Sequence, residues 1–194
     1  MGTLSSKYEA RGGAGTVSSG KGDIGGISYG TYQMSTGSGT AQKFANEYGG
    51  ALKGLKAGTA AFAKAWKAEA SGKNAAKFAQ AQHEYVKKSH YNPTANKFKS
   101  TTGIDVSTRS AALQNALWSI GVQHGSGGAN SIFKASGVKS SDSDATILKK
   151  LYAERSKVDK YFKSSVASTK ASVKKRFQAE LNDALAMLNG TYKG

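Results

Sequence analysis

The sequence predicts a mainly helical protein with a small β-rich edge near its N-terminus, and three observations support this. Apolar residues recur at helical spacing through most of the chain after Ala41. A glycine-rich segment, residues 12–40, holds ten of the 24 glycines and precedes that helical part. Within it Ile27, Tyr29 and Thr31 alternate with the residues between them, which is a weak strand pattern.

Local signals place the elements of the first half of the chain. Residues 3–10 are expected to form a short helix that Gly12 and Gly13 end. Residues 12–40 are expected to be loop with short extended pieces. Residues 60–88, rich in alanine and lysine, predict two helices broken at Ser71 and Gly72.

The second half begins at Pro93, which marks a turn or a helix break. Apolar residues in 111–123 predict a helix that runs into a loop over the letters HGSGG. A further short helix is expected over residues 129–136, closed by Gly137 as a glycine just past its end.

Two more helices complete the predicted architecture. The letters SSDSD offer an N-cap for a helix that extends towards Phe162. The last helix, residues 168–190, carries an apolar stripe beside a basic cluster that includes Lys174 and Arg176. We interpret it as a core helix with a solvated basic face, and the alternative is an amphipathic helix that binds anionic lipid or lipopolysaccharide.

Composition limits the classes of partner. The chain carries 28 basic and 12 acidic residues, a formal charge of +16, which favours an anionic partner. No recognisable nucleic-acid motif is present, so nucleic acid is not expected as the partner. The chain has no cysteine, and its three histidines lack metal-ligand spacing, so we expect no metal and no cofactor. We expect a monomer, made in the cytoplasm without a signal peptide.

Two carboxylates stand out in the glycine-rich region. Glu9 and Asp23 are the only acids in the first 46 residues. A carboxylate pair suits glycosidic cleavage, in which one group donates a proton and the other activates water or supports the cationic transition state. The alternatives are an ordinary glutamate at a helix end and an aspartate in a glycine turn.

Polar and aromatic side chains near these acids are candidates for substrate binding. Ser28, Tyr29, Tyr32 and Gln33 follow Asp23, and tyrosine rings with an amide suit a sugar surface. The alternative is a small hairpin with aromatic cross-strand packing.

A second candidate group follows Trp118, which we expect in the core because it lies on the apolar face of a helix. Gln123 and His124 end that helix and enter a glycine-rich stretch, where polar side chains can reach a groove. A capping or structural histidine is the alternative.

Two blocks of sequence carry a resemblance to a known family: SSKYEARGGAGTVSSGKGDIGGISYGTYQM and ALWSIGVQHGSGGA. They resemble the lysozyme superfamily, in particular phage endolysins and tail- or spike-associated muramidases of the goose-type and lytic transglycosylase kind. The resemblance implies one lysozyme-like catalytic domain over residues 1–194, with a substrate groove. It implies that Glu9 is the general acid and Asp23 the second carboxylate. The groove is then lined by Ser28, Tyr29, Tyr32, Gln33, Gln123 and His124.

The implied activity is that of a bacteriolytic muramidase, which cleaves peptidoglycan glycan strands between N-acetylmuramic acid and N-acetylglucosamine. The implied site of action is the cell wall or periplasm, after release through a holin or delivery by a tail or spike. Three alternatives stay open: a lytic transglycosylase that uses Glu9 alone, a non-enzymatic basic protein that binds an anionic polymer, and a chitosanase-like hydrolase. The spacing of Glu9 and Asp23 does not fix the stereochemical outcome.

Overall fold

A computed structural model of the protein describes residues 12–21 and 25–193. Helices make up most of these residues, and the strands found there form one two-stranded antiparallel sheet. The prediction of a mainly helical fold is therefore confirmed. The described residues divide into two compact units, an N-terminal unit that ends at Val86 and a C-terminal unit that begins at Lys87. The expectation of a single catalytic domain over residues 1–194 stays a prediction.

The N-terminal unit places a small hairpin beside helices. Strand β1 pairs with β2 so that Ser28 faces Ser35 and Tyr29 faces Met34, and Val17 forms a bridge to Tyr29 on the other side. The elements of this unit are β1 (Ser28–Tyr29), β2 (Met34–Ser35), α1 (Thr40–Tyr48), a 3₁₀ turn (Gly50–Leu52), α2 (Ala60–Ser71) and α3 (Ala75–Val86). The predicted helix break at Ser71 and Gly72 is confirmed.

An aromatic cluster forms the core of this unit. Phe44, Phe62, Trp66 and Phe78 are at most 1% exposed. The Tyr29 ring lies edge-on to Phe62 at 5.0 Å between centroids, and Trp66 meets Phe78 at the same distance. Aromatic pairs of this geometry add about 0.5–1.5 kcal/mol each beyond their buried area. The hairpin is thereby joined to α2 through the ring of Tyr29.

The C-terminal unit is helical throughout its regular elements. Its elements are a π-helix (Lys87–Tyr91), α4 (Asn92–Thr102), a 3₁₀ turn (Val106–Thr108), α5 (Ala111–Ser136), α6 (Asp144–Arg155), α7 (Val158–Tyr161) and α8 (Ala167–Leu188). Pro93 lies in the first turn of α4, where its missing N–H is not needed. Ser143 caps α6 by accepting a hydrogen bond from the Thr146 N–H, as the SSDSD cluster predicts.

Helix α5 differs from the prediction. The loop expected over HGSGG is reduced to a kink at Gly125, whose φ of 63° and ψ of 170° leave the helical region. The helix resumes after the kink because Ala129, Ile132 and Phe133 are buried there, and packing outweighs the poor helix propensity of glycine. Gly137 ends α5 with a φ of 66°, which confirms its predicted role.

The last helix, α8, is a core helix. Phe177, Glu180 and Ala184 on it are fully buried, while Lys174 and Lys175 are exposed. This burial supports the core interpretation of the C-terminal segment. Within the described ranges no helix has both the length and the apolar character required to span a bilayer.

Candidate functional site

The two predicted catalytic residues lie outside the described residues. Glu9 precedes residue 12 and Asp23 falls between residues 21 and 25. Their assignment as general acid and second carboxylate stays a prediction. The structure does describe most of the glycine-rich segment around them and the residues that hold it.

A buried amide holds that segment. The Gln82 side chain on α3 is 0% exposed, and its Nε2 donates to the carbonyl oxygen of Ala14 at 2.9 Å. Its Oε1 accepts from the Thr31 N–H at 3.2 Å. The Trp66 Nε1 donates to the same Ala14 carbonyl at 2.8 Å. Two helices thus satisfy polar backbone groups on both arms of the glycine-rich segment, which would otherwise be costly to bury.

Glycine is required at the tip of the hairpin next to this amide. Gly30 has a φ of +72°, and a Cβ there would lie 2.2 Å from the Gln82 Oε1 and 3.0 Å from the Trp66 ring. No larger residue fits this position without displacing the amide or the indole. The glycine in the letters SYGTYQ therefore permits a close approach between hairpin and helix.

Ser28 and Tyr29 are structural members of the hairpin. The Ser28 N–H donates to the Ser18 hydroxyl at 2.8 Å. Tyr29 is 0% exposed, and its hydroxyl accepts from the Gly58 N–H at 3.1 Å. Burial raises the pKa of Tyr29, and the hydrogen bond from Gly58 opposes part of that rise. Because its ring is enclosed by protein, a substrate contact through the Tyr29 ring requires a rearrangement, and this role stays a prediction.

Tyr32 and Gln33 lie at the accessible side of the hairpin. The Tyr32 hydroxyl hydrogen-bonds the Nδ1 of His83 on α3 at 2.8 Å, and both side chains are partly exposed. Gln33 is exposed and has a φ of 49°, the one positive value among the described non-glycine residues. Such a backbone costs about 1–3 kcal/mol and persists where surrounding structure holds it, often at functional sites. We name Tyr32, Gln33 and His83 the hairpin site.

Gln82 and His83 are not among the residues that the sequence pattern indicates for the site. Both lie in the alanine- and lysine-rich segment, where the pattern predicts helix alone. The available signal was a polar residue on an apolar helical stripe, since Phe78, Gln82 and Tyr85 are all buried on one face of α3. A glutamine at such a position has to hydrogen-bond something, and it bonds the glycine-rich segment.

Gln123 and His124 belong to the C-terminal unit, just before the kink in α5. Both are partly buried. The His124 ring packs between Tyr161, Phe162 and Phe177, with centroids 5.4–6.1 Å away. Burial, followed by the positive charges of Arg155 and Arg176, lowers the pKa of His124 to about 3. The imidazole is therefore neutral at physiological pH, and substrate contacts by Gln123 and His124 stay predictions.

A buried ion pair near His124 was also missed. Arg155 on α6 and Glu180 on α8 are both 0% exposed and 3.1 Å apart. Glu180 also accepts from Ser119 at 2.7 Å and from Arg176 at 2.6 Å. Burial alone raises the pKa of Glu180, but the two arginines and these hydrogen bonds outweigh it and lower the pKa overall. This network joins helices α5, α6 and α8, a structural role.

Metal ligands do not cluster in the part of the chain that the structure describes: no three His, Asp or Glu side chains lie close enough there to hold a metal ion. The expectation of no cofactor stays a prediction.

Comparison with known proteins identifies the family. A family model described as type VI secretion system spike protein VgrG3-like, C-terminal, matches residues 1–181. The type VI secretion system spike protein VgrG3 of Vibrio cholerae serotype O1 is 34% identical over 187 residues. The aligned part covers 93% of this chain and 18% of that relative.

These matches correct the family that the two sequence blocks indicated. The prediction of a lysozyme-superfamily muramidase related to phage endolysins is wrong, and so is the bacteriolytic, antimicrobial function attached to it, because the matching family is one of secretion spike proteins. The blocks cover about a quarter of the chain, whereas the family match covers residues 1–181. Their glycines and tyrosines also serve local packing, as Gly30 and Tyr29 do. The chain belongs to the VgrG3-like C-terminal family of type VI secretion system spike proteins.

Proposed function

We propose that this chain is a module carried by a type VI secretion spike to the envelope of a target cell, where it binds peptidoglycan glycan strands. The observation that carries delivery by a spike is the family match over residues 1–181. The binding of glycan rests instead on the geometry of the hairpin site. The Vibrio cholerae relative is named as a spike protein, and this chain corresponds to 18% of its length. A module of that relative size suits a cargo attached to a larger spike. Its partners in delivery are components of the secretion system.

The glycan is assigned to the hairpin site in the N-terminal unit. Tyr32 and His83 offer a hydroxyl and an imidazole in a fixed relation, because they hydrogen-bond each other at 2.8 Å. Gln33 presents an amide from a strained backbone position. Sugar recognition needs several preplaced donors and acceptors on a rigid support. The anchored Gln82 and the aromatic cluster under Tyr29 supply that support. A lysozyme-like groove over this site is part of the same proposal.

The charge of the chain favours an envelope target. A formal charge of +16 raises the local concentration of the protein at an anionic surface. Peptidoglycan carries carboxylates on its peptide stems and is such a surface. Anionic lipid or lipopolysaccharide is a second partner that the same charge suits.

Sedimentation with purified peptidoglycan sacculi tests binding. The wild-type chain should pellet with sacculi in a saturable manner, and the Tyr32→Phe, His83→Ala double variant should bind at least about tenfold more weakly, as expected for two lost polar contacts of about 1 kcal/mol each. The Gln80→Ala, Gln178→Ala double variant is the control, because it also removes two polar side chains, both exposed, and leaves the charge unchanged. Failure of the wild-type chain to pellet with sacculi would refute the proposal.

Catalysis is a separate proposal that rests on other residues. We propose that the module is an enzyme of the glycosidase type, with Glu9 as proton donor and Asp23 as its partner. The support is that both acids lie in sequence beside described residues of the glycine-rich segment, Ala14 and Thr31, which Gln82 and Trp66 hold. Mass analysis of sacculi after incubation tests it: released saccharides support an enzyme, and intact glycan supports a binding module.

A further inference from the structure

The outward face of helix α2 carries two neighbouring lysines. Lys64 and Lys67 are exposed and one helical turn apart. Phe62 and Trp66, which lie on the opposite side of the same helix, are 0% exposed. The helix therefore buries its aromatic face and presents its two lysines to solvent.

The adjoining turn and helix α3 add two more lysines. Lys73 lies between α2 and α3, and Lys77 lies in the first turns of α3; both are exposed. The buried face of α3 is formed by Phe78 and Gln82, and α2 and α3 pack against each other. We name Lys64, Lys67, Lys73 and Lys77 the lysine strip.

The lysine strip forms no salt bridge with any residue that the structure describes. Across residues 12–21 and 25–193, none of its four lysines forms a salt bridge, whereas six acids of the C-terminal unit each pair with a basic side chain. The acid nearest in sequence, Glu69, is 6% exposed and already accepts from Tyr48, Asn74 and the Ala51 N–H. Glu69 nevertheless interacts with one lysine of the strip, since the positive charge of Lys77 contributes to lowering the pKa of Glu69.

The chemistry of the strip selects among anionic partners. Between Lys64 and Lys67 lie Ala65 and the buried Trp66, so the strip has no large apolar side chain to insert into a bilayer. It also has no aromatic ring on which a base could stack and no arginine to read a base edge. Lysine ammonium groups on flexible stems suit dispersed carboxylates on a mobile polymer.

We propose that the lysine strip binds the carboxylates that peptidoglycan bears on its peptide stems, and so retains the module on the wall independently of the hairpin site. This inference rests on the proposed binding of peptidoglycan. It assigns the stems to the strip and the glycan to the hairpin site. Exposed ion pairs contribute about 0.2–1 kcal/mol each, so four of them should increase the affinity for peptidoglycan by roughly tenfold or more.

The test compares two variants with the same change in charge. In the first, Lys64, Lys67, Lys73 and Lys77 are all replaced by glutamine. In the control, four exposed lysines of the C-terminal unit that form no salt bridge within the described residues are replaced instead: Lys134, Lys163, Lys174 and Lys175. Each is measured at about 0.1 M salt, where charges more than about 10 Å apart are screened, and melting curves confirm that both fold.

We expect the strip variant to bind sacculi about tenfold more weakly and the control to stay within about twofold of wild type. The wild-type chain should bind amidated sacculi, in which the carboxylates are converted to amides, only weakly. Its affinity for them should equal the affinity of the strip variant for untreated sacculi. An equal loss of affinity for sacculi in both variants, or unchanged binding of the wild-type chain to amidated sacculi, would overturn the inference while leaving the proposed function intact. Tighter binding of duplex DNA than of sacculi through the strip would also overturn it. Absence of wild-type binding to untreated sacculi would instead refute the proposed function itself.

Discussion

The side chain of Gln82 bonds Ala14 and Thr31 at once, with its Nε2 2.9 Å from the Ala14 carbonyl oxygen and its Oε1 3.2 Å from the Thr31 nitrogen. One buried amide on α3 thus fixes both arms of the glycine-rich segment. Since Tyr32 and Gln33 directly follow Thr31, the geometry of the hairpin site depends on this amide.

Replacement of Gln82 by methionine, which is similar in size, should destabilise the protein by about 2–4 kcal/mol. The substitution leaves the Thr31 N–H without a side-chain acceptor and removes one of two donors to Ala14. Urea unfolding measures the change. Gln80→Met is the control: among the described residues exposed Gln80 bonds Glu84 alone, and its replacement should cost less than about 0.5 kcal/mol. Equal stability of the two variants would contradict the role given to Gln82.

Gly30→Ala should be more harmful than Gly39→Ala by about 1–3 kcal/mol, the usual cost of overpacking. Both glycines have φ near +70°, so both variants incur the same backbone strain. A Cβ at Gly30 would lie 2.2 Å from the Gln82 Oε1, whereas a Cβ at Gly39 would meet no described residue within 4 Å apart from its two chain neighbours. Thermal unfolding of the two variants compares them directly. A difference near zero would show that the hairpin moves freely away from α3.

Stability should fall as pH is lowered from 7.5 to 5, and His124 should account for part of the fall. Its pKa is lowered to about 3 in the folded protein, whereas an unfolded histidine titrates near about 6.5. Between these values the unfolded state binds more protons, so acidification favours unfolding. His124→Leu should remove about 2 kcal/mol of the loss at pH 5. Urea midpoints at the two pH values measure it.

His90 keeps a smaller effect of the same sign in that variant, because burial also lowers its pKa. If the free energy of unfolding of the His124→Leu variant fell between pH 7.5 and 5 as much as that of the wild type, His124 would be protonated in the folded protein and not enclosed as described.

If the module is an enzyme, Glu9→Gln should reduce product release from sacculi by about 10²–10⁴-fold, the usual contribution of a general acid, with no loss of binding. Asp23→Asn then separates the mechanisms. Severe loss is expected if Asp23 positions water, and retained activity with 1,6-anhydro products indicates a transglycosylase that uses Glu9 alone. Activity of Glu9→Gln within a few-fold of wild type would exclude Glu9 as the acid.

Sequence patterns predicted those features that depend on neighbours along the chain. Gly137 ends α5 and Ser143 caps α6 as expected, because a cap is formed by residues within a few positions. Around Gly125 the local pattern predicts a loop, whereas the structure has only a kink. The helix continues because Ile132 and Phe133 are buried, and local propensity does not contain that information.

The partners that organise the candidate site lie far apart in sequence. Gln82 bonds Ala14 across 68 positions, and Arg155 meets Glu180 across 25. No local rule pairs such residues. A polar residue on a buried stripe indicates that a partner exists, but only the fold identifies it. The burial of Tyr29 in the aromatic cluster depends on such distant partners too, and its predicted role at a sugar surface stays a prediction.

Hydrogen exchange in the presence of soluble glycan fragments of peptidoglycan tests the central claim most directly, because it locates the bound glycan. We expect slower exchange over residues 28–36 and at the end of α3 around His83, with little change in α8. The Tyr32→Phe, His83→Ala double variant should need at least about tenfold more glycan to reach the same protection. No change in exchange at saturating glycan, or protection confined to the C-terminal unit, would contradict glycan binding at the hairpin site.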